Sequence, residues 1–325
     1  MVKLRSILRN RNIIILLALT SGMLLHNGAQ WTRHLVLPLL ALIMTLSTMG
    51  VDSHIFRTPR ALFVPAFLGI VMNYAVLGNL IILMGAFLIH DEALWVGFVT
   101  LAAVPSAVAV IPFTRLLNGN KTYAAIGTIG SYTGALIIAP LIALGLLETH
   151  LIDTTKLLIA TIVLIALPIA VSRLLIWKRL NDYIEPLKGM ITDWSFFLII
   201  YSLVGLNWKT ITAHPFSLVP MAIIAFMSTF FLGFLIQWFG ILFHVEKANL
   251  TVLFLLGTLK NYGLAGGIAL YLFNQEAALP AVVLTIFMTI YVTWLKFKMQ
   301  KASPPQDSEK AITVHSDVIK YLPKD

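Results

Sequence analysis

The chain is built from apolar runs of about 20 residues, the length one helix needs to cross a bilayer, separated by short polar stretches. Counting them predicts ten helices, at roughly 12 to 28, 34 to 51, 61 to 88, 93 to 117, 121 to 147, 155 to 177, 190 to 207, 216 to 243, 249 to 273 and 278 to 297. The first run is short and follows Lys3, Arg5, Arg9 and Arg11, as a signal peptide would, but His26-Asn27-Gly28-Ala29-Gln30 is a poor small-residue cleavage site. It is therefore read as a first membrane helix.

Charge placement tests the count independently. An even number of crossings puts both termini on one side, and Lys and Arg concentrate on the cytoplasmic side. With the N-terminus inside, the inner connections carry Arg57, Arg60, Arg115, Lys121, Arg173, Lys178, Arg179, Lys188 and Lys247, and the C-terminal stretch adds Lys296, Lys298, Lys301, Lys310, Lys320 and Lys324. The outer connections carry Arg33, Lys156 and Lys209 beside Asp91, Glu92, Glu148, Asp153 and Glu276. This asymmetry predicts an integral multi-pass membrane protein with both termini cytoplasmic. Residues 1–301 form one transmembrane domain, and 302–325, with Pro304-Pro305, form a polar cytoplasmic tail.

Of the 325 residues, 59% are hydrophobic and 11% charged, where a soluble domain carries about 25% charged residues. That balance excludes a soluble fold. A formal net charge of +9 would raise nucleic-acid binding in a soluble protein, but membrane insertion accounts for the basic connections here, and the expected surroundings are a lipid bilayer. The lack of cysteine excludes disulfides, thiolate metal sites and thiol nucleophiles. His54, His90, His150, His214 and His244 lie in or next to connections, and no span offers a nucleophile with a base, paired carboxylates or a metal-ligand cluster. Neither an enzyme nor a cofactor or resident metal is expected.

Two runs are interrupted. The fourth is centred on Pro105, followed by Ser106 and Pro112, and proline removes a backbone donor and clashes with the preceding turn. The ninth is centred on Asn261 within Gly257-Thr258-Leu259-Lys260-Asn261-Tyr262-Gly263, a polar, glycine-rich stretch in an apolar setting. Pro105, Pro112, Gly257 and Gly263 are the expected helix breakers. Ten helices divide near residue 150 into two sets of five, about 12–147 and 155–297, and each interrupted run is fourth in its set. Because five is odd, the sets enter the membrane from opposite sides and form an inverted repeat. Paired interruptions at matching places point to a transporter's binding site, since unwound backbone in hydrocarbon needs partners. On the fifth helix, Gly127, Gly130 and Gly134 are expected to allow close packing, and Thr128 and Ser131 share that face.

Lys260 stands at a helix centre, where a charged lysine costs roughly 2.5 to 3.5 kcal/mol on insertion scales. No aspartate or glutamate lies inside any predicted span; Asp193, at the edge of the seventh, is the nearest. Three options follow: an anionic solute pairs with it, the amine gives up its proton, or it is a built-in cation in place of a bound metal ion. Snorkelling competes with these but works near helix ends, not about 11 residues from each. The competing reading of Asn261 is a cap for the unwound segment.

In these segments the sequence resembles the bile acid:sodium symporter family, ten-helix inverted-repeat transporters of organic anions whose two broken helices cross at the membrane centre. The resemblance runs from about Arg33 to Lys296. It is carried by Leu37-Pro38-Leu39-Leu40, by Val104-Pro105-Ser106-Ala107 with Leu116-Leu117-Asn118-Gly119-Asn120, and by Lys260-Asn261-Tyr262-Gly263-Leu264-Ala265. Family members carry Gly-Gly after the proline and a Ser-Asn pair that helps ligate sodium; this chain has Ser106-Ala107 and then Val110-Ile111. The family's glutamate ligand falls on Leu256 and its glutamine on Lys260. Thr128 keeps a fifth-helix hydroxyl, while its partner position is Ala124. The resemblance thus implies the fold and transport of a small organic anion, with the sodium ligands largely gone.

The sequence therefore predicts an all-α membrane protein whose fourth and ninth helices are broken and cross at the midplane. Its expected function is alternating-access transport of a small organic anion. Lys260, Asn261, Thr258, Pro105, Ser106, Thr128 and Ser131 are the expected substrate-binding residues. Lys260 replaces the ion and acts either as a fixed counter-charge or as a proton-coupling site; sodium is not the expected ion. Rival readings are a sodium-coupled symporter with other ligands, a channel, and a non-transporting membrane sensor on the same scaffold.

Overall fold

The computed structural model describes residues 11–49, 59–147, 156, 159 and 162–302. The expected basic N-terminus, the connections holding Arg57, Glu148 and Asp153, and the polar tail from residue 303 lie outside those residues. Among the described residues the fold is helical throughout. This follows from composition: in hydrocarbon each backbone N–H and C=O must be paired within its own segment, and a helix achieves this locally.

Six stretches are long and apolar enough to cross a membrane: His26–Met49, Leu62–Leu88, Lys121–Leu146, Asn181–Leu206, Pro215–Leu242 and Glu276–Lys298. They correspond to the second, third, fifth, seventh, eighth and tenth apolar runs. The other runs give shorter helices. In chain order the helices used below are α1 (Arg11–Leu24), α2 (Val36–Met49), α3 (Pro59–Ile70), α4 (Asn79–Leu88), α5 (Glu92–Ala103), α6 (Val110–Leu116), α7 (Lys121–Leu146) and α8 (Leu167–Trp177). They continue as α9 (Asn181–Leu206), α10 (Leu218–Phe226), α11 (Leu232–Leu242), α12 (Lys247–Leu256), α13 (Tyr262–Leu272) and α14 (Leu279–Ala302).

The first run is packed into the body of the protein. Ile15 and Ala18 of α1 share an apolar core with Ile199, Ile200, Leu203 and Val204 of α9, and the Tyr201 hydroxyl donates to the Leu25 carbonyl at 2.7 Å. α9 also begins earlier than the apolar pattern indicates, at Asn181 instead of about 190. Its polar first turns, with Glu185 and Lys188, were read as connection because the sequence signal there is hydrophilicity, which a helix facing a water-filled space also has.

The third and eighth runs each contain a wide π-helical segment, Val71–Gly78 between α3 and α4 and Met227–Phe231 between α10 and α11. Such segments are uncommon and frequently sit at functional sites. The expected small-residue packing on the fifth helix is present: a Cβ added at Gly130 would stand 2.6 Å from the Ala66 Cα, and one at Gly134 3.0 Å from the Ile70 side chain. Without those glycines α7 could not lie against α3 at this distance.

Candidate functional site

Each interrupted run ends one helix and starts another. α5 runs from its Asp91 cap, whose carboxylate accepts from the Leu94 N–H at 2.9 Å, to Ala103, after which Val104 turns extended. A residue before proline is driven out of the helical region, so Pro105 sets that stop. α6 resumes at Val110. In the ninth run α12 ends at Leu256 with Gly257 as its C-cap, and α13 restarts at Tyr262 with the Asn261 side chain accepting from the Leu264 N–H at 3.2 Å.

The two gaps satisfy one another. Ser106 and Lys260 form an isolated antiparallel bridge, in which the Ala107 N–H donates to the Leu259 carbonyl at 2.8 Å and the Asn261 N–H to the Pro105 carbonyl at 3.0 Å. Unwound backbone that hydrocarbon would penalise is thereby paired across two segments far apart in sequence.

Lys260 is fully buried, at 0% exposure. Its Nζ donates to the Ala102 carbonyl at 2.8 Å and the Val104 carbonyl at 2.9 Å. These acceptors exist because α5 stops: a helix's last four carbonyls have no partner within the helix, and that end also carries the negative pole of its dipole. The same Nζ stands 4.9 Å from the centre of the Tyr74 ring, within the range of a cation–π contact. Asn73 completes this nest by donating from Nδ2 to the Val104 carbonyl at 3.2 Å. The π-helical segment places Asn73 and Tyr74 here, with Gly78 at its end, where a Cβ would stand 3.9 Å from Nζ.

A chain of hydroxyls extends from the nest. Tyr74 donates to the Ser131 carbonyl at 2.9 Å, Ser131 and Ser106 share a hydrogen bond of 2.6 Å, and Ser131 also donates to the Thr128 carbonyl at 2.7 Å. On the other side, Asn261 Nδ2 donates to the Tyr132 hydroxyl at 3.2 Å and lies 3.3 Å from the Met44 sulfur. Two buried oxygens nearby in sequence, Asn73 Oδ1 and Thr128 Oγ1, make no hydrogen bond among the described residues.

A cavity of about 730 Å³ opens against this pairing. Its walls include Ala107, Pro112 and Arg115 of the fourth run, Lys121 and Thr122 of α7, Glu185, Lys188, Asp193, Phe196 and Leu203 of α9, and Lys260, Asn261, Tyr262 and Gly263. A pocket of only about 20 Å³, lined by Val99, Pro105, Ala139, Leu147, Leu264 and Phe273, lies toward the opposite end of α7.

Of the residues expected to bind substrate, Lys260 and Asn261 line the large cavity, while Pro105 lines the small one. Ser106 and Ser131 are buried against each other. Thr258 is buried in the gap and donates to the Phe254 carbonyl, in the last turn of α12, at 2.7 Å. Thr128 is buried and lines neither space. Among the expected breakers, Pro105 and Gly257 sit in the gaps. Pro112 and Gly263 fall in the first turns of α6 and α13, where a missing N–H bond is tolerated. Asn73, Tyr74, Tyr132 and Met44 were not singled out from sequence; a polar Asn73 inside the apolar third run was the one available signal.

Helices of this length and apolarity, packed around a cavity that ends on two paired gaps, define an integral multi-pass membrane protein. The chain belongs to the sodium bile acid symporter family, whose model matches residues 37–214. Members of that family are membrane transporters and not enzymes, so a solute is the expected partner. No curated protein matches the chain. The family match includes the Pro105 gap and stops before the Lys260 gap that folds against it.

Proposed function

We propose that the protein carries a small organic anion by alternating access through ten membrane passages arranged as two inverted five-helix repeats, and that the Lys260 amine takes the place of a coupling ion. The observation that carries this reading is the pair of hydrogen bonds from Nζ to the Ala102 and Val104 carbonyls. Carbonyl oxygens at a helix end are what a small cation seeks, and the tethered amine meets them without an ion having to bind. A further feature supports the repeat: the interruptions are fourth in each set. One face of the pairing opens on 730 Å³ and the other on 20 Å³, which favours alternating access over a channel open on both sides.

Sodium-coupled symport is the second reading, supported by the family and by the unpartnered oxygens Asn73 Oδ1 and Thr128 Oγ1. Two such oxygens are few for a hard cation, which takes about six or more. The two readings separate in proteoliposomes. Flux of an organic anion should be equal in sodium and choline and should collapse in Lys260→Gln. Flux that requires sodium would overturn the built-in cation. Flux driven by a pH gradient alone would instead make Lys260 a proton-coupling site.

A further inference from the structure

The Lys260 amine is turned into the carbonyl nest, so it leaves the cavity without the counter-charge that an anionic solute needs. We infer that Arg115 and Lys121 supply that charge and select for the solute's anionic group. This deepens the transport reading above and rests on it.

Both residues line the 730 Å³ cavity, and both are exposed. Lys188, a third cation of the wall, is paired with Glu185 at 3.3 Å, whereas neither Arg115 nor Lys121 has an ion pair or a side-chain hydrogen bond among the described residues. The turn between them is held fast. Asn118 adopts a left-handed backbone with φ 54°, the Gly119 N–H donates to the Thr114 carbonyl at 2.8 Å, and the Asn120 N–H donates to the Ala248 carbonyl at 3.1 Å. Asn120 also donates through Nδ2 to Asn249 at 2.9 Å. The two cations therefore leave a fixed platform, and the entropy lost on holding an anion falls on their side chains alone. Thr122, beside them on the wall, adds a hydroxyl donor. Guanidinium forks match a carboxylate or sulfonate in a bidentate geometry, while the apolar residues beyond, Phe196 and Leu203, contact the rest of the solute.

An anionic lipid headgroup offers the same chemistry, and the test separates the two sources. Thermal stability and flux are measured for cyclohexanecarboxylate, 2-naphthoate and cholate, each beside its neutral amide, in phosphatidylcholine vesicles with and without phosphatidylglycerol. For any anion that stabilises the wild-type protein, Arg115→Gln with Lys121→Gln should raise KM at least tenfold with the maximal rate within twofold. Response to the amide should be unchanged. Arg115→Lys with Lys121→Arg should restore most of the affinity, and Lys178→Gln, outside the cavity wall, should change nothing. An unaltered KM in the double variant overturns the assignment while leaving transport intact. An effect confined to vesicles with phosphatidylglycerol assigns the pair to lipid and also overturns it. If no anion stabilises the wild-type protein or is carried by it, the anion-transport reading fails and this assignment fails with it.

Discussion

The two interruptions are made by opposite means. Around Pro105 the chain offers chiefly acceptors: α5 stops before a residue that cannot donate, and the Ala102, Val104 and Pro105 carbonyls are left open, while the Ala107 N–H is returned to the Leu259 carbonyl. The ninth run contains no proline; there Gly257 ends one helix, Asn261 caps the next, and the segment between them brings donors, the Asn261 N–H and the Lys260 amine. Neither gap is tolerable alone in an apolar interior, where an unpaired polar group costs about 1–3 kcal/mol or more. Together they form a joint. Where a family of ion-coupled transporters would be expected to need an ion between two gaps, a covalently attached cation makes the joint self-sufficient under the function proposed above.

Removing the donor should do the most damage. Lys260→Met keeps the length of the side chain but takes the donor from the buried Ala102 carbonyl and leaves the Val104 carbonyl to Asn73 alone, so stability in detergent should fall by about 2–4 kcal/mol, read by fluorescence-detected thermal unfolding, and flux should fall below a tenth. An unchanged melting temperature would show that the amine is not structural. Asn261→Ala removes both the α13 cap and the contact with Tyr132 and should cost about 1–2 kcal/mol; measured by the same unfolding assay, a larger loss than that of Lys260→Met would reverse the ranking of the two residues. Tyr74→Phe retains the ring under the amine and loses the bond to Ser131, for about 1 kcal/mol, whereas Tyr74→Leu should lose more; equal losses would exclude the ring contact. Pro105→Ala should have the smallest effect, within about 1 kcal/mol, because it keeps the carbonyl that Asn261 uses. Hydrogen exchange at Val104–Ser106 should reveal whether α5 then lengthens.

Much of this was legible along the chain because the signals are local. Apolar runs of bilayer length, the proline in the fourth and the glycines and lysine in the ninth each act through their own backbone or their own transfer energy. The nest around Lys260 was not legible. A search for its partner along the sequence looks for a carboxylate, yet the partners are main-chain carbonyls, which carry no sequence signature until a helix stops beside them. Tyr74 and Asn73 escaped for a related reason: a π-helical turn changes which side chains face inward without changing the apolar composition of the run. Glu185 and Lys188 were read as connection because a hydrophilic helix facing a cavity and a hydrophilic loop have the same composition.

The sequence by itself determined a helical membrane protein, where its helices are interrupted, and the presence of one cation deep in an apolar run, since these depend on transfer energies and backbone chemistry residue by residue. Tertiary structure decided what that cation touches. It laid the gap at Pro105 against the gap at Lys260, turned the amine toward the end of α5 and away from the cavity, and gathered Arg115, Lys121 and the early turns of α9 around one space. Those outcomes depend on which helices lie side by side, and no local preference of the chain specifies them.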